Sequence, residues 1–163
     1  MQRGYACVAL YNPKNAANLG GSFRAAHVFG ASLLIVSGQR IQRSAADVTK
    51  AWRHIPLIER AKDDLMDAIP YDCVPVAVEI ASRATDLPAF HHPERAAYIF
   101  GPEDSSVPDT ITAKCRHIVQ IPSQFCLNLA SAVSVVLYDR AAKQHERSRL
   151  VPLHMGRKEV ARL

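Results

Sequence analysis

Three short stretches carry residue types suited to chemistry on a bound ligand. The first is Asn15-Ala16-Ala17-Asn18-Leu19-Gly20-Gly21-Ser22-Phe23-Arg24. Asn18 has an amide that both donates and accepts hydrogen bonds, and Arg24 offers a permanently charged, planar set of donors. Gly20 and Gly21 would let a backbone approach a ligand closely. The same residues also suit a plain helix start, with Asn18 as its cap and Arg24 on the surface. The stretch is not Gly-x-Gly-x-x-Gly and holds no Gly-Lys-Ser/Thr, which argues against dinucleotide-fold and P-loop nucleotide binding. The second stretch is Ile99-Phe100-Gly101-Pro102-Glu103-Asp104. Its glycine permits a tight turn whose peptide groups can bond an adenine or ribose. Glu103 can pair with an arginine or a ligand hydroxyl, or belong to an acidic turn capping the helix expected after Pro108. The third runs Ile121-Pro122-Ser123-Gln124-Phe125-Cys126-Leu127-Asn128. Asn128 can cap the helix that follows or present its amide to a substrate hydroxyl.

The elements that must position these stretches alternate in type. Apolar runs at 6–10, 33–36, 74–78, 97–100 and 117–121 read as strands. Helical patterns run from Asn18 to Phe29, ended by Gly30, and from Ala61 to Ala68, closed by Pro70. Short strands alternating with helices imply an α/β fold with a mainly parallel sheet flanked by helices. In such a sheet ligands bind beyond the carboxyl ends of the strands, where all three stretches fall. The last element, from Asn128 to Tyr138, is apolar nearly all the way round, so it is expected to be buried on several sides.

Taken in order, the three stretches resemble the motifs of the SpoU-type branch of the SPOUT superfamily, the RNA ribose 2′-O-methyltransferases. Asn18, Gly20 and Arg24 match its Asn-x-Gly-x-x-x-Arg pattern. Gly101 and Glu103 match its Gly-x-Glu turn. Ile121, Pro122 and Asn128 match its Ile-Pro loop before an apolar helix. The resemblance spans about residues 5–140. It implies S-adenosylmethionine as cofactor, a C-terminal deep trefoil knot, and a homodimer pairing through the knotted region with a shared acceptor site. The brevity of the chain resembles the minimal members acting on the tRNA wobble ribose, so RNA, with tRNA favoured, is the implied partner.

Carried over residue by residue, the resemblance makes Arg24, Asn18 and Asn128 the catalytic set. Arg24 would sit at the acceptor hydroxyl, where stabilising a developing alkoxide suits a guanidinium better than accepting a proton. Gly101, Glu103, Ile121, Cys126 and Leu127 would bind the cofactor, with Val78 and Glu79 lining the same pocket from the third expected strand. Two positions depart from the family. Ser106 stands where a second glycine is usual, and Cys126 where a serine is usual. They motivate an alternative reading, an RNA-binding protein of the same fold with weak or absent catalysis.

Composition fits this picture. The 163 residues are 48% hydrophobic and carry a formal charge of +5. Residues 1–60 hold eight Lys/Arg against two Asp/Glu, 61–140 hold six against eleven, and 141–163 hold six against two. Basic ends around an acidic middle can leave one basic face, which favours a polyanion. Lys50 and Arg53, flanking Trp52, and Arg24 are the candidate RNA contacts. A single domain is expected over 1–145, with a basic tail at 146–163. No signal peptide or membrane span is read, so a cytoplasmic protein is expected. Cys7 and Cys73 read as buried thiols. No Cys or His spacing suggests a metal, and His91-His92 reads as a surface loop.

Overall fold

A computed structural model describes residues 4–38 and 53–147. Their apolar runs assemble one sheet of seven strands. These are β1 (Tyr5–Tyr11), β2 (Leu33–Ser37), β3 (Leu57–Arg60), β4 (Val74–Val78), β5 (Thr85–Asp86), β6 (Arg95–Phe100) and β7 (His117–Gln120). Their order is β3-β2-β1-β6-β4-β7-β5, and every pairing is parallel. The central strands read as unbroken apolar runs because both faces of the sheet are covered. Side chains alternate between two cores. Val8, Leu10, Leu34, Tyr98 and Phe100 face helices α1 (Ala16–Val28) and α3 (Leu129–Arg147). Cys7, Ala9, Ile35, Ala97 and Ile99 face the other side with Leu65, Val107 and Ile111, the last from the single-turn helix α2 (Asp109–Thr112). Burial drives the Cys7 thiol up to about 12, as suits an inert core cysteine.

The expected α/β architecture and five expected strands are present. Gly30 ends α1 as anticipated: at φ 70° it lets the Ala31 N–H donate to the Ala26 carbonyl (2.8 Å) and its own N–H to His27 (3.2 Å). Four expectations are corrected. Asn15, not Asn18, caps α1; extended at φ −107°, its Oδ1 accepts from the N–H groups of Ala17 (2.8 Å) and Asn18 (3.2 Å). Gly20 and Gly21 therefore lie inside the helix rather than in a ligand-facing loop. The helix read over 61–68 is two three-residue turns, Lys62–Asp64 and Met66–Ala68, because Leu65 alone is fully buried there and one anchor cannot support an apolar stripe. Strands β3 and β5 were not foreseen; both are short and lie at the two edges of the sheet.

The fourth correction concerns α3. It buries one stripe, Leu129, Val133, Val136 and Leu137, while Val135 and Tyr138 stay exposed. Its polar half is instead tied into the protein. Arg140, only 4% exposed, donates to the carbonyls of Pro93 and Glu94 (both 2.6 Å) and to the Tyr98 hydroxyl (3.1 Å). His92 is buried, not on a surface loop, between Tyr98 (2.6 Å from Nδ1) and Asp139 (2.7 Å from Nε2). Lys143 completes the cluster on Asp139 and on the carbonyls of Leu87 and Phe90. These bonds close consistently with a neutral His92. Arg140 donates to Tyr98, the Tyr98 hydroxyl to Nδ1, and Nε2–H to the Asp139 carboxylate.

Candidate active site

All strands run the same way, so their carboxyl ends share one edge of the sheet. β1, β6, β4 and β7 are consecutive neighbours there. The first, second and third stretches follow β1, β6 and β7, and Val78-Glu79 ends β4. Four segments far apart in sequence thus converge on one rim, which is where an open parallel sheet binds ligands.

Glu103 joins the first stretch to the second. Its carboxylate accepts from the Lys14 N–H (2.9 Å), the Asn15 N–H (3.2 Å) and the Asn18 side-chain amide (2.9 Å). Burial alone would raise its carboxyl, but the bonds from Asn18, Lys14 and Asn15 outweigh this and hold it below its ordinary value. The carboxylate sits just ahead of α1, where a negative charge also meets the positive end of the helix dipole. An exposed Lys14–Asp104 ion pair (3.3 Å) spans the same two stretches. Glu103 therefore pairs with neither an arginine nor the helix after Pro108. Its partners Lys14 and Asn15 act through backbone N–H groups, which side-chain identity does not announce.

Gly21 joins the first stretch to the third. A Cβ built on it would lie 2.7 Å from the Ala130 Cβ, so α1 and α3 touch through the missing side chain. Gly21 comes three residues after Asn18, and Ala130 two after Asn128. Asn128 is the cap of α3: its Oδ1 accepts from the Ser131 N–H (2.8 Å) and its carbonyl from the Ala132 N–H (2.9 Å). Gly101 is equally constrained, since a Cβ there would stand 3.1 Å from both the Val107 N and Cγ2.

Arg24 is exposed on α1, six residues beyond Asn18, and is not part of the Glu103 clamp. It neighbours His27 on the helix face. His27 stacks on His54 (4.6 Å between centroids, 2° between planes), which brings the exposed Arg53 turn toward the Arg24 face. Lys50 and Trp52 lie outside the described residues. Val78 and Ile121 are half-buried, while Cys126 and Leu127 are exposed in a loop braced by the Ser123 hydroxyl, which donates to the Phe125 carbonyl (2.8 Å). These residues suit an adenosyl group: apolar walls from Val78, Ile121 and Leu127 stand beside accessible peptide groups, and Gly101 sits where a Cβ would crowd its own loop. Among the described residues no cluster of three potential metal ligands occurs, and no helix is long and apolar enough to cross a membrane.

Known proteins share both the sequence pattern and the fold. A mouse (Mus musculus) protein, tRNA (guanosine(18)-2′-O)-methyltransferase TARBP1, is 27% identical over 117 residues; the match covers 66% of this chain but 7% of that protein. Among solved structures, the SpoU methyltransferase AviRb of Streptomyces viridochromogenes in complex with AdoMet superposes with a TM-score of 0.75 at 21% identity, covering 90% of this chain and 63% of that one. The AdoMet-bound rRNA methyltransferase of Sinorhizobium meliloti gives 0.73 at 22%, covering 93% and 59%. A protein solved in connection with 2-OH methylation of C/U34 on tRNA gives 0.71 at 24%, covering 88% of this chain and 98% of that one. The sequence model of the SpoU rRNA Methylase family matches residues 5–138. The chain belongs to the SpoU methylase family of RNA methyltransferases.

Proposed function

We propose that this protein transfers a methyl group from S-adenosylmethionine to a ribose 2′-hydroxyl of RNA, with tRNA the favoured substrate. The observation that carries the reading is the convergence of the three stretches on one rim, with Asn18 and Arg24 on the helix that Glu103 and Gly21 hold against the other two. Val78, Gly101, Ile121, Cys126 and Leu127 would hold the cofactor, which supplies an electrophilic methyl on a sulfonium. The acceptor hydroxyl is a weak nucleophile, so orientation and removal of its proton set the rate. Arg24 would face that hydroxyl and stabilise negative charge growing on its oxygen. Asn18 would fix the start of α1, and Asn128 the start of α3. Arg53, and Lys50 outside the described residues, would add phosphate contacts that position the strand without reading its sequence.

The reading includes a homodimer, a C-terminal knot and a cytoplasmic location. The dimer is supported by an apolar patch on the paired helices: Val28 is 68% exposed, Tyr138 62% and Val135 37%, with Phe29 edge-on to Tyr138. A second reading, an RNA-binding protein of this fold without turnover, is favoured by Ser106 and Cys126 alone. Calorimetric titration with S-adenosylmethionine separates the two. Micromolar binding supports the enzyme, whereas no binding at millimolar cofactor sinks it. Arg24→Ala should then lower the transfer rate by about 10²–10³-fold and leave cofactor affinity unchanged. A large loss of affinity would show that Arg24 belongs to the cofactor site.

A further inference from the structure

Glu79 ends β4 and touches every segment of the cofactor half of the rim. Its Oε2 accepts from the Val107 N–H (2.8 Å), across 28 residues of sequence. Its Oε1 accepts from the Ile80 N–H (3.0 Å), and its own N–H donates to the Val119 carbonyl at the end of β7 (3.0 Å). Val107 is the residue that folds back over Gly101, its backbone N 3.1 Å from where a Gly101 Cβ would stand. The position of the Val107 peptide therefore fixes how the 101–107 turn closes on Gly101. Ser106, where the family resemblance leads one to expect glycine, lies next to this anchor.

We propose that Glu79 is a positioning residue for cofactor binding: its carboxylate braces the 101–107 turn through Val107, and it does not bond the ligand. Both carboxylate oxygens already accept backbone donors, and the two bonded amides come from different sides of the pocket. Together Glu79 and Glu103 hold the turn at both ends, one from β4 and one from the start of α1. The inference rests on the cofactor reading above and makes its own prediction within it.

The test uses the full chain and S-adenosylhomocysteine, titrated by calorimetry. Glu79→Gln preserves volume but turns one acceptor into a donor facing a backbone N–H. It should raise the Kd about tenfold, a change of about 1.4 kcal/mol, with kcat at saturating cofactor within about twofold of wild type. Glu79→Asp, one methylene shorter, should show the same loss if it cannot reach Val107, and it keeps the test open should Glu79→Gln fail to fold. The 2′- and 3′-deoxyribose analogues of the ligand complete a cycle. If Glu79 acts through Val107, each missing hydroxyl costs wild type and variant the same factor. If a hydroxyl deletion weakens wild type but not Glu79→Gln, the residue binds the ribose directly and the proposal falls. Wild-type affinity in both variants would also overturn it. Failure of the wild-type chain to bind would overturn the cofactor reading itself, a separate and recognisable result.

Discussion

The contact between Gly21 and Ala130 makes the sharpest prediction about how the rim is assembled. Gly21→Ala adds one methyl group inside α1. On helix propensity alone the change should stabilise by about 1 kcal/mol. The new Cβ, however, would lie 2.7 Å from the Ala130 Cβ, about 1 Å inside normal carbon–carbon contact. Neither atom can rotate away, since each is fixed by its own helix backbone. The helices must separate, at an overpacking cost of about 1–3 kcal/mol. The single variant should therefore be neutral to destabilised by about 2 kcal/mol, the difference of the two effects. Ala130→Gly, near the start of α3, should lose at most about 1 kcal/mol of propensity. In the double variant the methyl has moved from one helix to the other, so stability should return close to wild type. The coupling energy then measures the steric term alone, about 1–3 kcal/mol in favour of the double variant. Urea denaturation of the four proteins reads it directly. If Gly21→Ala gains the full propensity increment and couples to nothing, the helices do not meet there. The argument that this contact aligns Asn18 with Asn128 then fails with it.

Two further predictions concern protons. Burial lowers the pKa of His92 below its ordinary value, although its bond to Asp139 opposes the shift. Below about pH 6.5 an unfolded His92 takes up a proton that the folded one refuses, so stability should fall as pH drops from there to the folded-state pKa. Thermal unfolding across that window should show a slope that His92→Gln flattens, and an unchanged slope would mean that another group is responsible. Glu103 behaves in the opposite manner. Its folded pKa is lowered, so its contribution is complete above the ordinary carboxylate range and lost as pH falls through the folded value. Glu103→Gln keeps the shape but removes the charge received by Lys14, Asn15 and Asn18; it should reduce methyl transfer about tenfold or more with little change in cofactor affinity. A loss confined to cofactor affinity would show that Glu103 serves the ligand and not the start of α1.

Much of the fold is legible in the chain because parallel strands buried on both faces need unbroken apolar runs. Residues 6–10, 33–36 and 97–100 have such runs and fit few other environments. Gly30 is equally readable, since a left-handed helix end favours its residue type. Residues 61–68 mislead because their pattern is helical, while only Leu65 finds a core to enter. His92 misleads because local sequence shows two adjacent polar residues, whereas its partners Tyr98 and Asp139 arrive from β6 and α3.

The three stretches that open the functional argument have a similar division. Sequence alone determined their residue types, order and spacing, because these follow from the chemistry of amide, guanidinium and carboxylate groups and from the turns that end strands. Tertiary structure decided what each group does. Asn15 took the capping role expected of Asn18 and freed the Asn18 amide for Glu103. Gly21 met a helix rather than a ligand. Glu79 gained Val107 as a partner. Each outcome depends on backbone N–H groups and Cβ positions brought together across the sheet edge. Every residue but proline carries the same N–H, so its availability is a matter of three-dimensional placement and not of sequence.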